Sequence, residues 1–194
     1  MDTQPLEFKK EHVVWETIKF IIIALVIVIP IRMYVAQPFI VSGQSMEPTF
    51  DDRQYLIVDQ LTYHFQNPQR GDVVIFKYPN DTTKYFIKRV IGLPGEKVEV
   101  RAGHVTIFNT ENPTGELLVE PYVGTTLNDA DRITTLGADE YFVMGDNRSN
   151  SSDSRVWGPL KQKFLVGRPI LRLLPLNTIS VFPGKEVPQE NKVN

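Results

Sequence analysis

Residues 85 to 108 read YFIKRVIGLPGEKVEVRAGHVTIF, and the spacing within them decides the fold class. Residues 85–91 are a run of β-branched and aromatic side chains, Gly92-Leu-Pro-Gly95 breaks it with turn residues, and two alternating runs follow at 97–101 and 104–108. Val98 and Val100 in the first run, and Val105 and Ile107 in the second, fall at period two, so each run has one apolar face. Ala102-Gly103 between them reads as a hairpin turn. Working outward, residues 55–58, 72–78 and 140–144 have the same character, and no helical stripe of comparable length accompanies them. The chain is therefore expected to be mostly β. Residues 109–139 are rich in Thr, Asn, Asp, Gly and Pro and predict a looser excursion between two core strands, while the tail from Pro183 reads as polar and frayed.

The 194 residues allow one ordinary domain plus appendages, and 42% hydrophobic with 23% charged residues is the balance of a folded chain. Lys and Arg number 21 against 23 Asp and Glu, for a net charge of -2, which argues against nucleic acid as a partner. The absence of cysteine removes disulfides, thiol nucleophiles and thiolate metal sites together. Three histidines, none at ligand spacing, make zinc improbable, and neither a metal nor another cofactor is expected. There is no internal repeat, phosphate loop or heptad.

Residues 20 to 41, FIIIALVIVIPIRMYVAQPFIV, contain one charge, Arg32. The uninterrupted run from Phe20 to Ile31 is 12 residues, roughly 18 Å of helix against a hydrocarbon core of ~30 Å. With Arg32 snorkelling to the headgroups the segment extends to about Ala36, roughly 25 Å, enough for a locally thinned bilayer. A single-pass anchor fits, and a cleaved secretory signal and a buried soluble helix are the alternatives. A cleaved signal needs small residues before the cut, and Tyr34-Val35-Ala36 puts Tyr at the third position back. Lys9, Lys10 and Lys19 precede the run, which favours a cytoplasmic N-terminus with the bulk of the chain outside. The expected organisation is a cytoplasmic segment 1–17, an anchor 18–37, a β-rich domain 38–178 with a variable insert at about 104–137, and a polar tail 179–194.

Three segments can carry chemistry. Ser42-Gly-Gln-Ser-Met-Glu-Pro-Thr49 is a hydroxyl-rich turn on which a serine is displayed either as a nucleophile or merely to bond neighbouring backbone. A serine needs a base. His12 precedes the anchor, and His64 and His104 read as structural or solvated, which leaves lysine. In Phe86-Ile-Lys88-Arg-Val90, Lys88 shares a strand face with Phe86 and Val90, while Arg89 shares the other with Ile87 and Ile91. Burial there lowers a lysine pKa from ~10.4 by ~3 units and makes a base, and the alternative is a lysine that snorkels out of the strand. Gly145-Asp-Asn-Arg-Ser-Asn-Ser-Ser-Asp-Ser-Arg155 folds either on internal Asp/Arg pairs, rigidly enough to aim a polar group, or as an ordinary solvated loop. Its DxN/DxS pattern also raises calcium, although no Glu closes it at EF-hand spacing.

In this order, an N-terminal anchor, SGQSMEPT at 42–49, RGDVVIF at 70–76, FIKRVIGLPGE at 86–96 and GDNRSNSSDSRVWG at 145–158 resemble the bacterial type I signal peptidases. SxM alone is unspecific, whereas KRVIGLPG with GDNRxxSxDSR is highly specific. The resemblance implies a catalytic domain of two antiparallel β-sheet regions behind one membrane helix, the smaller region inserted between the lysine strand and the GDNR loop. It implies a membrane-bound serine endopeptidase that removes signal peptides from secreted precursors, with Ser45 as nucleophile and Lys88 as general base. Ser151 would orient the lysine, and Asp146, Arg148, Asp153 and Arg155 would build the loop around it. The oxyanion would meet the Ser45 backbone amide. Gly43 stands where some relatives have a second hydroxyl donor, so that donor is backbone, water or Ser42. Phe39, Val41, Met46, Phe50, Phe86 and Ile87 match the family's pocket-lining positions and otherwise read as β core. Ser149 stands where many relatives carry Asp, a change expected to be tolerated. The implied partners are signal-peptide-bearing precursors and membrane lipid, for a monomer in the plasma membrane beside the secretion machinery with its catalytic domain on the outer side.

Three rivals remain. A self-cleaving repressor with a similar β fold would need a DNA-binding domain where the anchor stands. A conjugative or organelle-type peptidase of the same superfamily would differ in substrate. A membrane-tethered module that binds peptides without cutting them would be marked by loss of the serine or lysine, and both are present.

Overall fold

The computed structural model describes residues 10–30, 36–124 and 131–185. Its strands are β1 (Ala36–Ile40), β2 (Tyr55–Asp59), β3 (Val73–Tyr78), β4 (Asp81–Gly92), β5 (Lys97–Arg101), β6 (His104–Phe108), β7 (Glu116–Leu117), β8 (Arg132–Thr135), β9 (Glu140–Met144), β10 (Leu160–Lys161), β11 (Leu165–Leu174) and β12 (Ser180–Val181). Among the described residues three α-helices accompany them, α1 (Lys10–Pro30), α2 (Thr62–Phe65) and α3 (Ser154–Trp157). The larger sheet has the order β1-β2-β11-β3-β4-β9-β10, with β12 paired to β11, and the smaller has the order β7-β6-β5-β8. Every pairing is antiparallel. The expected mostly β, antiparallel architecture is the one observed.

Period-two alternation sorts the core. On β9, Tyr141 and Val143 join a cluster with Val74, Phe76, Val90 and Leu160, whereas Phe142 and Met144 face Ile91 and the smaller sheet's Val98, Val100, Val105 and Ile107. The smaller sheet is thus docked through an apolar layer. A third cluster of Val41, Met46, Phe50, Leu56 and Val73 seats the 42–52 turn on the edge of the larger sheet.

Several boundaries differ from the sequence reading. The smaller sheet begins at Lys97, so it takes in β5 as well as the expected insert. Residues 36 and 37, assigned to the anchor, lie in β1, an edge strand where Pro38 removes a donor without harming an inner ladder. β11 was not foreseen, because Gly167 and Pro169 read as breakers; its register shifts absorb them while it pairs with both β2 and β3. The frayed tail is corrected at its start, since Pro183 is buried and a side chain at Gly184 would meet Phe50 and Val73. Residues 186–194 lie outside the described residues.

The described part of α1 exposes apolar side chains on all sides from Val13 to Ile29. Among the described residues no helix is long and apolar enough to cross a membrane. Residues 31–35, through which the expected span extends, lie outside the described residues.

Candidate active site

The site forms where three segments meet at the β4 strand. β3 sets Val74 opposite Lys88 and Val73 opposite Arg89, and β9 sets Met144 opposite Arg89 on the other side. The chain leaving Met144 therefore turns directly across β4. The 42–52 turn approaches from β1, held by Val41 N to Gln54 O at 2.9 Å and Arg53 N to Val41 O at 2.9 Å, with Met46 and Phe50 buried beneath it. Gly43 has φ +90°, in the region glycine favours, and its amide donates to Asp52 Oδ1 at 2.8 Å.

These supports bring Ser45 and Lys88 together. Lys88 Nζ lies 2.7 Å from Ser45 Oγ and donates to Ile87 O at 2.8 Å, with the Phe86 ring 5.3 Å away. Lys88 is 4% exposed. Burial pushes its pKa down to about 8, against the more distant carboxylates of Asp153 and Asp146, which act the other way. A lysine of this kind holds a sizeable neutral fraction near neutral pH and can take a hydroxyl proton.

Its neighbour Arg89 is 1% exposed and fully engaged: Nε and Nη2 bond Asp146 at 2.9 and 2.6 Å, and Nη1 bonds Gly71 O and Gly184 O at 2.8 and 2.7 Å. Thr49 Oγ1 donates to the same Asp146 carboxylate at 2.5 Å, which ties the serine turn to the pair. Asn147 N donates to Ser45 O at 3.1 Å and Asn147 Nδ2 to Gln44 O at 3.1 Å.

The 145–155 loop is stitched internally. Asp153 accepts from Gly145 N at 3.0 Å and from Arg155 Nε and Nη2 at 2.9 and 2.8 Å. Burial would raise the Asp153 pKa, but the hydrogen bonds and charge of Arg155 and the Gly145 amide hold it below the usual carboxylate value. Arg155 Nη2 also bonds Arg148 O at 2.8 Å, and Arg148 Nε bonds Gly145 O at 3.1 Å. Gly145 has no room for a side chain, because a Cβ would strike Ser151 Oγ and the Ser45 carbonyl oxygen. Ser151 Oγ is therefore enclosed beside the Ser45 backbone and within reach of the Asp153 carboxylate, which its hydroxyl helps to hold ionised. Among the described residues no cluster of His, Asp or Glu is placed to hold a metal.

The family model of the signal peptidases, peptidase S26, matches residues 14–174. The chain belongs to that family. It is accordingly a peptidase, a hydrolase. A signal peptidase I from Leptolyngbya laminosa is 36% identical over 179 residues, covering 88% of this chain and 85% of the relative. A signal peptidase I from Bacillus amyloliquefaciens is 33% identical over 190 residues, covering 92% and 98% respectively. A crystal structure of a signal peptidase I from Enterococcus faecalis is 33% identical, with a TM-score of 0.45, covering 53% of this chain and 97% of that one.

A hollow of about 420 Å³ opens beside the pair. Phe39, Val41, Phe86 and Ile87 line it, together with Leu56, Ile75 and Tyr85, which sequence reasoning did not single out. Met46 and Phe50 do not line it. They are 1% and 0% exposed and act as the floor of the serine turn, with Phe50 stacked 5.6 Å from the Arg172 guanidinium. A second hollow, bordered by Ser42, Gln44, Asp52 and Asn150, shares Ser42 and Ser45 with the first, so open space continues on both sides of the serine. Arg89 and Thr49 were also missed as partners of Asp146. The GDNR loop reads as self-contained, and nothing in its own sequence points to a β4 arginine.

Proposed function

We propose that the chain is a membrane-bound serine endopeptidase that removes N-terminal signal peptides from secreted precursors by cutting after small-x-small sites, Ala-x-Ala above all. The observation that carries this is the 2.7 Å contact between Ser45 Oγ and a buried Lys88 whose bonds go to uncharged oxygens. In the neutral amine the Nζ lone pair accepts the Ser45 proton as Oγ attacks the scissile carbonyl. The tetrahedral intermediate collapses when the leaving amine takes that proton from Lys88, and an acyl-enzyme on Ser45 remains. Neutral Lys88 then takes a proton from water as it attacks the ester, and returns that proton to Ser45 Oγ as the adduct collapses to the product acid and free serine.

Among the described residues the Ser45 amide has no hydrogen-bond acceptor, which suits a donor to the oxyanion. The Gly43 amide is occupied by Asp52. That leaves the exposed Ser42 hydroxyl, or water, as the second donor. The enclosed Ser151 Oγ, its hydroxyl hydrogen turned toward Asp153, suits a group that accepts a bond from Lys88 once Ser45 is acylated. Asp146, Arg148, Asp153 and Arg155 hold the loop that carries it.

Substrate binds extended along β4. β9 covers β4 only from Arg89 onward, so among the described residues the opposite edge of 81–88 has no ladder partner, and an added strand fits it beside the hollow. Walls of Phe39, Val41, Phe86 and Ile87 admit small side chains at the first and third positions before the cut.

The exposed, all-round apolar surface of α1 supports the single-pass anchor, because such a helix in water has nothing to cover it. Lys9, Lys10 and Lys19 on its N-terminal side support a cytoplasmic N-terminus and an outward catalytic domain in the plasma membrane. A monomer beside the secretion machinery then meets each precursor as its signal helix crosses next to α1.

The test is cleavage of an Ala-x-Ala precursor by detergent-solubilised protein, with the new N-terminus read by mass spectrometry. Wild type cuts after the second Ala, and Ser45→Ala and Lys88→Ala, both folded, do not. Equal cutting by all three would dismiss the pair.

A further inference from the structure

Two side chains leave the inserted sheet and close on the site loop. After β7 the chain turns back, pinned by Leu118 N to Val105 O at 2.8 Å and by Val123 N to Glu120 O at 3.1 Å. Glu120 meets the Arg148 guanidinium as a two-point fork, Nη1 to Oε2 at 2.9 Å with Nη2 on Oε1. The two side chains are 8% and 3% exposed. Tyr122 donates its hydroxyl to Glu120 Oε1 at 2.9 Å, and its ring lies 3.9 Å from Arg89 Cζ.

Neither arginine belongs to the insert. Arg148 holds Gly145 O, and Arg89 holds the Asp146 carboxylate at two points. Gly145 and Asp146 lead into Asn147, whose amide grips the Ser45 carbonyl. The insert thus takes hold of two of the cations, Arg148 and Arg89, that with Arg155 fix the loop bonded to the serine turn. Leu118 and Tyr122 also pack against the apolar layer of Val98, Val100, Val105, Ile107, Ile91, Phe142 and Met144 that docks the smaller sheet, whereas the charged Glu120–Arg148 fork adds nothing to that layer. A buried charge pair is also a poor source of net stability, because desolvation opposes its attraction.

We propose that Glu120 and Tyr122 are positioning residues for cleavage: through Arg148 and Arg89 they clamp the 145–147 loop and so hold Ser45 in line with Lys88. The proposal rests on the Ser45–Lys88 reading above. It makes the insert part of the machinery, and lengthening or loosening the 118–124 segment a way of tuning turnover.

The test uses the full chain in detergent, as wild type, Glu120→Gln, Glu120→Asp and the double variant Glu120→Gln/Arg148→Gln. Turnover of the Ala-x-Ala precursor is read with the melting temperature and hydrogen exchange at the Asn147 amide. Glu120→Gln is expected to lower kcat about 10²-fold, as misplacement of a reacting group by about 1 Å does, with KM changed by less than about twofold. Asn147 exchange rises about tenfold or more, while amides of β3 and β9 keep their protection. Glu120→Asp, which keeps the charge, recovers part of kcat and decides the matter where Glu120→Gln fails to fold. The double variant removes both charges, so it regains the melting temperature but not kcat. The clamp is overturned if kcat in Glu120→Gln stays within about threefold of wild type with Asn147 unchanged, or if kcat returns with the melting temperature in the double variant. Wild-type cutting that survives Ser45→Ala would sink the serine–lysine reading instead, and Asn147 exchange alone would then decide the clamp.

Discussion

Lys88 and Arg89 are adjacent on β4, both cationic and both nearly sealed from water, at 4% and 1% exposure, yet their surroundings are opposite. Arg89 points into a finished set of partners: two bonds to the Asp146 carboxylate, two backbone carbonyls and the Tyr122 ring. Lys88 points to a serine hydroxyl, one carbonyl and the edge of an apolar hollow. A buried charge with a matched counter-ion stays charged and serves structure, whereas one without it gives up its proton and becomes available for chemistry. The strand's period of two is what keeps the two environments apart by one residue.

The comparison breaks most visibly under Lys88→Arg. A guanidinium does not deprotonate in the accessible pH range, so turnover should fall about 10⁴-fold or more, read as kcat on the precursor. Retained activity would mean that Lys88 is not the base. Next in size is Arg89→Met, which strands the Asp146 carboxylate at 0% exposure and should cost about 3–5 kcal/mol, a drop of roughly 10 °C in melting temperature. Lys88→Met should do the reverse for stability. With no carboxylate bound to the amine, replacement by an apolar chain of similar length raises stability at pH 7 by about 1–3 kcal/mol while abolishing turnover. Opposite signs for adjacent cations are the sharpest form of the contrast, and equal losses would erase it.

The pH dependence follows from the depressed Lys88 pKa. In the mechanism proposed above Lys88 acts in its neutral form, so kcat/KM should rise about tenfold per unit up to about 8 and level off above. Stability has the same sign. Between about 8 and the ordinary 10.5 the unfolded chain binds a proton at this position that the folded chain does not, so this group's contribution to stability grows with pH across that window. Denaturant midpoints for wild type and Lys88→Met, compared at pH 8 and pH 10, isolate it. The smallest effect belongs to Ser149→Asp. Ser149 is exposed and its hydroxyl donates to Asn147 Oδ1 at 2.9 Å, so stability should stay within about 0.5 kcal/mol and kcat within about twofold.

What was legible in the sequence was local. β5, β6 and β9 lie at the residues where alternation places them, because a hairpin's register is set by its own turn and its own apolar face. β1 was hidden inside an apolar run that reads continuously from α1, and β11 behind Gly167 and Pro169, whose tolerance depends on register shifts set by β2 and β3. The same rule holds at the site. Ser45, Lys88 and the 145–155 loop stand out through their motifs, and the alternation along 86–90 already gave Lys88 an apolar face. The partners that make the geometry, Arg89 for Asp146 across 57 residues and Glu120 for Arg148 across 28, leave no pattern at those separations. Met46 and Phe50 were misplaced in the pocket because adjacency to Ser45 says nothing about which side of a turn a residue faces.

The central claim is that Lys88 is held neutral for Ser45, and the direct measurement is its own titration. Side-chain NMR of lysine-labelled protein in detergent, with the Lys88 resonance assigned by its loss in Lys88→Met, should give a midpoint near about 8. A midpoint at the ordinary 10.5 would contradict the account, since a lysine charged throughout the working range cannot take the Ser45 proton.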